Sequence, residues 1–195
     1  MKARLIPLLA AAALTGAAAA SEPPAWVDRA RDAAARLGKD LKAELTSALS
    51  ESGPSGGVRV CRDRAPEIAA AVSGDGLRVG RTAPRVRNPA NAPDDWERDV
   101  LADFRARIDT GADPAGLEQW AVRDTGDGRT GRWMKAIPMQ PQCALCHGSD
   151  IPPELAETIE SLYPQDRATG FEVGDLRGAF TVSVDLPTTD ADHSD

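Results

Sequence analysis

The chain has 195 residues, 42% of them apolar and 27% charged, with a formal net charge of −7. This is globular composition, large enough for one ordinary domain and tight for two. The acidic balance argues against a nucleic-acid partner, which needs a basic face. Three cysteines exclude a multi-disulfide mini-scaffold, and two histidines exclude a site of three imidazoles.

The first twenty residues read as a targeting segment rather than as fold. Lys2 and Arg4 precede an apolar run over 5–14, and Ala18-Ala19-Ala20 supplies small residues for cleavage before Ser21. That is the pattern of a secretory signal. A membrane span needs a longer run, and Thr15-Gly16 interrupts this one. Cleavage leaves 175 of the 195 residues, with 21 basic and 30 acidic side chains, a net charge of −9. The expected location is the periplasm, an oxidising compartment.

In the remainder, Trp26, Ala30, Ala34, Leu37, Leu41, Leu45 and Leu49 recur at helical spacing, and Gly53-Pro54 ends that helix. Val58, Cys61, Ala65, Ile68 and Val72 give a second helical face, with a kink expected at Pro66. Residues 77–93 show little periodicity and read as a loop, whose basic part carries Arg81, Arg85 and Arg87. Pro93-Asp94-Asp95 opens a helix with an apolar face of Trp96, Val100, Phe104 and Ile108. Strands are expected over 117–122 and 132–137, joined as a hairpin by the turn residues 124–128. A short helix over 153–162, loops at Gly170, Gly174 and Gly178, and a last strand over 179–184 follow. An acidic tail over 187–195 has the composition of an unstructured segment. The order predicts an α+β domain over 21–186 with an antiparallel sheet flanked by helices.

One motif carries chemistry. Cys143-x-x-Cys146-His147 is the attachment sequence of a c-type haem. Each thiol adds across one haem vinyl group, and the next residue, His147, then lies under the ring with its imidazole toward iron. A thioredoxin-type C-x-x-C would open a helix after a strand in a βαβ unit, whereas this one follows Pro138 and Pro141. A zinc knuckle needs four ligands and these residues supply three. A structural disulfide leaves His147 unexplained.

The donor on the other face of the iron is open from residue chemistry alone. Met134 and Met139 lie close before the motif, and His193 lies in the tail. Cys61 has no internal partner once the other two cysteines are thioethers. It shares a face with Val58, Ala65 and Ile68, and Arg59, Arg62 and Arg64 favour its thiolate. It reads equally as a ligand or as a small buried side chain, and an intermolecular disulfide is a third reading. Arg81, Arg85 and Arg87 are candidates for the haem propionates, since a guanidinium pairs well with carboxylate. Trp96 and Phe104 are candidates to pack on the ring, and Tyr163 reads as core.

Six segments occur in collinear order. They are Cys61-x-x-x-Ala65-Pro66; Gly80-Arg81-Thr82; Arg87-Asn88-Pro89-x-Asn91-x-Pro93-x-x-Trp96-Glu97; Cys143-x-x-Cys146-His147-Gly148; Tyr163-Pro164-x-Asp166-x-Ala168-x-Gly170; and Gly174-Asp175-x-Arg177-Gly178. Together they resemble the Tll0287-like (DUF3365) c-type haem family over nearly all the chain after the signal. The resemblance implies a PAS-like fold with one covalent haem c and His/Cys ligation of its iron, which maps onto His147 and Cys61. It also implies a domain found alone or as an input module of signalling proteins.

Three functions follow for such a protein: a one-electron carrier, a redox or small-ligand sensor acting through a partner protein, and a peroxidase-like enzyme. The enzyme needs an open iron position and a distal acid–base group, and only His193 is spare. The carrier needs no further parts. The expectation is therefore a one-electron haem protein rather than a catalyst. Its partners are haem and a redox or signalling protein, with no nucleic acid and no membrane span.

Overall fold

A computed structural model describes residues 22–126 and 128–187. The signal segment and the tail beyond Pro187 lie outside the described residues. The elements in chain order are α1 (Ala25–Val72), β1 (Leu77–Thr82), α2 (Asp95–Asp109), β2 (Glu118–Thr125), β3 (Gly128–Pro138), α3 (Ala144–His147), α4 (Pro153–Leu162) and β4 (Leu176–Leu186). All strand pairs are antiparallel, in the order β1-β4-β3-β2.

α1 is a helical hairpin. Gly53 alone within it leaves helical dihedrals, at φ 66° and ψ −167°, a conformation that glycine adopts without a Cβ penalty. Pro54 then starts the returning arm, where its missing N–H costs nothing. The arms run back to back: Arg64 pairs with Glu44 at 3.2 Å, and a Cβ on Gly57 would stand 3.0 Å from both Leu45 and Leu49. The break expected at Gly53-Pro54 is thus observed. At Pro66 the backbone stays helical and the arm is not split in two. Pro66 faces solvent, so water can satisfy the carbonyl that its ring leaves free.

The sheet is covered on both faces, as alternation along β3 dictates. Trp133 and, on β4, Val182 and Val184 meet Val27, Ala30, Ala34 and Leu37 of α1. Met134 and Ala136 face the other way, against Val100, Leu101 and Phe104 of α2. α2 begins with a capping box, Asp94 accepting from the Glu97 N–H while Glu97 accepts from the Asp94 N–H. Buried Glu97 also accepts from Thr181 Oγ1 at 2.6 Å and pairs with Arg132 at 3.1 Å, which ties α2 to the sheet.

Two loop readings are corrected. Gly178, expected in a loop, lies inside β4 opposite Ile137. Residues 77–82, read as loop, form the edge strand β1, paired from Leu77↔Val184 to Thr82↔Ala179. Buried Leu77 and Val79 alternate with exposed Arg78. The arginines that hid this strand in the sequence suit an edge, where charge discourages pairing with another chain.

Candidate functional site

Both central strands deliver residues to one end of the sheet. β3 ends at Pro138, and a 3-10 turn (Pro141–Cys143) passes directly into α3. Residues three apart on such a turn share a side, so Cys143 and Cys146 are neighbours; both are half-buried free thiols. β4 begins at Leu176, with Arg177 next to it. A strap over 166–175 wraps the Cys–His turn. The Gly170 N–H donates to Gly148 O, the Phe171 N–H to His147 O, and the Met139 N–H to Asp175 O.

His147 is oriented through the strap. Its Nδ1 lies 2.7 Å from the carbonyl oxygen of Ala168. A carbonyl only accepts, so Nδ1 carries the proton and Nε2 presents its lone pair. Metal-binding imidazoles are commonly held this way. Burial first, then the charges of Arg177, Arg87 and Arg81, push the His147 pKa down to about 3, so the ring is neutral at neutral pH.

Behind it stands a buried ion pair. Arg87 is 8% exposed, meets Asp166 at 3.0 Å, and donates to the Cys146 carbonyl at 2.6 Å. Asp166 in turn accepts the Ala168 N–H at 2.8 Å. Arg87, Asp166, Ala168 and His147 therefore form one connected support.

Cys61 reaches the same place from a remote part of the chain. It lies on the returning arm of α1, near Val58, which packs with Leu155, Ile159 and Tyr163 of the α4 region; Cys146 packs against this cluster. Burial pushes the Cys146 thiol up, with Cys61 among the charges that add to the rise. The Tyr163 phenol is pushed up to about 12, by burial first and then by Cys61.

The arginines take different roles. Arg85 lies 3.9 Å over the Phe171 ring and donates to Gly170 O at 3.3 Å. Arg81 sits on β1, half-buried, and its charge acts on His147, Tyr163 and Arg177. The Arg177 guanidinium lies 5.1 Å from the centre of the same Phe171 ring, and its Nη2 is 3.5 Å from His147 Nε2. Trp96 belongs elsewhere: it packs with the α2 cluster and carries the Arg132 guanidinium 4.7 Å from its ring. Phe104 and Met134 are buried in that same cluster, whereas Met139 packs with Ala168 and Phe171 against Cys143. Among the described residues no group of three or more His, Cys, Asp or Glu side chains could hold a metal ion, and no helix is long and apolar enough to cross a membrane.

A family model described as Tll0287-like matches residues 17–185. The chain belongs to the Tll0287-like family. A crystal structure of the cyanobacterial haem protein Tll0287 is similar to it with a TM-score of 0.60 and 27% identity, covering 86% of this chain and 99% of that one. No curated protein matches.

Within this Tll0287-like domain, the site gathers Cys143, Cys146, His147, Cys61, Arg81, Arg85 and Arg87. Two residues that matter were quoted in the family segments without a role, Asp166 and Arg177. Each stands beside a glycine-marked loop and has the local pattern of a surface charge. Only the fold brings Arg177 to His147 and Asp166 into the Arg87–Ala168 support behind it.

Proposed function

We propose that the chain is an exported, periplasmic protein that holds one haem c covalently through Cys143 and Cys146 and exchanges single electrons through it. The observation that carries this reading is the imidazole of His147, fixed through Nδ1 so that Nε2 is the donor, directly after two thiols at attachment spacing. The surroundings fit the group in charge as well. Nε of Arg87 and Nε of Arg177 are buried without a hydrogen-bond partner, as expected of a pocket that receives a dicarboxylate. The similarity to a solved haem protein supports the same ligand.

Bound there, haem supplies an iron centre that changes oxidation state by one electron. His147 would hold it from one face. Cys61 is the donor proposed for the other, because its arm carries it beside Cys146 and Tyr163. A thiolate donates charge and favours ferric iron, so the potential lies below that of a His/Met site. Buried Tyr163 and Phe171, in the clusters that touch Cys146 and Cys143, would help to keep water from the haem.

Made with a cytochrome c maturation system, the protein should give a haem-stained band after denaturing electrophoresis and a mass one haem above the polypeptide. Colour lost on acid–acetone extraction would overturn the reading. Cys61→Ala should convert a low-spin ferric spectrum to high-spin or open it to imidazole; an unchanged spectrum would remove Cys61 from the iron.

One placement favours a second reading, a redox or small-ligand sensor acting through a partner protein. Cys61 rides on an arm hinged at Gly53, whereas His147 is tied to the sheet. Carbon monoxide binding to the reduced protein supports the sensor, and its absence supports the carrier.

A further inference from the structure

Arg177 is a half-buried cation without an opposite charge of its own. Its Nε is enclosed and has no hydrogen-bond partner. Its guanidinium touches two groups, the Phe171 ring at 5.1 Å and His147 Nε2 at 3.5 Å. Among the described residues no carboxylate forms an ion pair with it. The nearest one acting on its charge, Asp166, is already engaged by Arg87 at 3.0 Å and by the Ala168 N–H at 2.8 Å. Arg87 and Arg81 add like charge beside it. A desolvated guanidinium among other cations is costly and calls for an anion.

The other arginines are less suited to supply that pairing. Arg87 spends its Nη2 on the Cys146 carbonyl and on Asp166. Arg85 is stacked on Phe171 and donates to Gly170 O. Arg177 alone combines an enclosed, open Nε donor with direct contact to the imidazole proposed for the iron.

We propose that Arg177 is the anchor for a haem carboxylate, a role for which the sequence pointed to Arg81, Arg85 or Arg87. The inference rests on the haem reading above. An iron atom held by Nε2 would need the space that the Arg177 guanidinium occupies beside that nitrogen, so the guanidinium would have to turn off the ring in the haem-loaded protein. The acceptors that haem itself brings into this neighbourhood are its two carboxylates, and a planar guanidinium matches their geometry. The same pairing sets the charge near the iron. A cation stabilises the ferrous state relative to the ferric one, and a paired carboxylate stays ionised across neutral pH.

Because the thioethers keep haem attached, the test is made on the fully loaded, covalently matured protein. Arg177→Gln, Arg177→Lys and Arg85→Gln are compared with the parent by haem staining, thermal unfolding, resonance Raman of the propionate bending modes, and potentiometry from about pH 6 to about pH 8. All should give the stained band; a parent without it overturns the haem reading and not this one specifically. Arg177→Gln should shift the propionate modes, lower the midpoint potential and make it pH-dependent in that range as the freed carboxylate takes up a proton. Arg177→Lys should restore most of the potential, which rescues charge and excludes misfolding as the cause. Arg85→Gln should produce the smaller changes of the two, since Arg85 is already stacked on Phe171 and bonded to Gly170 O. Unchanged propionate modes and potential in Arg177→Gln, or the same shifts in Arg85→Gln instead, would overturn the assignment.

Discussion

Replacing Arg87 by Met should be among the most damaging single changes in this domain. Both partners of the Arg87–Asp166 pair are only 9% exposed at the side chain. At the surface, such a pair is worth about 0–1 kcal/mol. Buried, the removal of one partner strands a charge and costs about 3–5 kcal/mol. The 2.6 Å bond to the Cys146 carbonyl is lost as well, and Met can fill the stem volume but cannot donate. A domain of this size melts about 2–4 °C lower per kcal/mol, which puts the expected drop at about 6–20 °C. The assay is thermal unfolding of the haem-loaded protein followed by circular dichroism, with guanidinium titration to obtain the free energy. The double variant Arg87→Met/Asp166→Leu should recover part of the loss, since no unpaired charge remains buried. A single variant melting within about 2 °C of the parent, or a double variant in which the two losses simply add, would show that the pair is not the support described.

A Cβ added at Gly131 would stand 2.8 Å from the Trp26 ring, in a core that has no slack, so Gly131→Val should cost about 1–3 kcal/mol; Gly116→Ala, with nothing within 4 Å, should stay within about 0.5 kcal/mol of the parent in the same denaturant titration. The Tyr163 phenol is raised to about 12 by burial. Folding therefore favours its neutral form, and that stabilisation is complete below the ordinary tyrosine pKa of about 10. It is lost as pH rises from there toward the folded value. Stability measured against pH should fall over this window in the parent, and Tyr163→Phe should flatten the fall; a variant with the parent's slope would assign the alkaline loss to other groups. Cys143→Ala and Cys146→Ala should each retain at most one thioether, read as a weaker haem-stained band, while Met139→Leu should retain both.

Local chemistry made the helices legible. Asp94 and Glu97 stand at capping-box spacing, and Gly53-Pro54 combines a left-handed stop with a proline start. The Cys143-x-x-Cys146-His147 turn was equally plain, because its residues are contiguous. β1 was hidden because Arg78, Arg81 and the turn-forming neighbours on either side give an edge strand the look of a loop. The support of His147 was hidden for a different reason. A carbonyl at Ala168 carries no side-chain signal, so nothing in the composition of the 166–175 strap marks it as the holder of the imidazole. Trp96 shows the converse. As a large aromatic it read as a candidate to pack on the ring, yet its contacts are with Arg132 and the α2 cluster, the ordinary fate of a tryptophan in the first turn of an amphipathic helix.

The hinge at Gly53 has a consequence for how the site opens. His147 hangs from β3 and β4, whose amides lie in the middle of the sheet and should exchange with solvent only on global unfolding. Cys61 hangs from the outer part of a helical arm, and the glycine at its start resists reorientation least of any residue. The two side chains nominated for the iron thus belong to units of unequal opening free energy. Hydrogen exchange should register this as fast protection loss over 54–65 against slow loss over 132–137. With haem bound as proposed, the Cys61 thiol would then be able to leave in a local fluctuation that the His147 imidazole does not share, while the sheet stays intact.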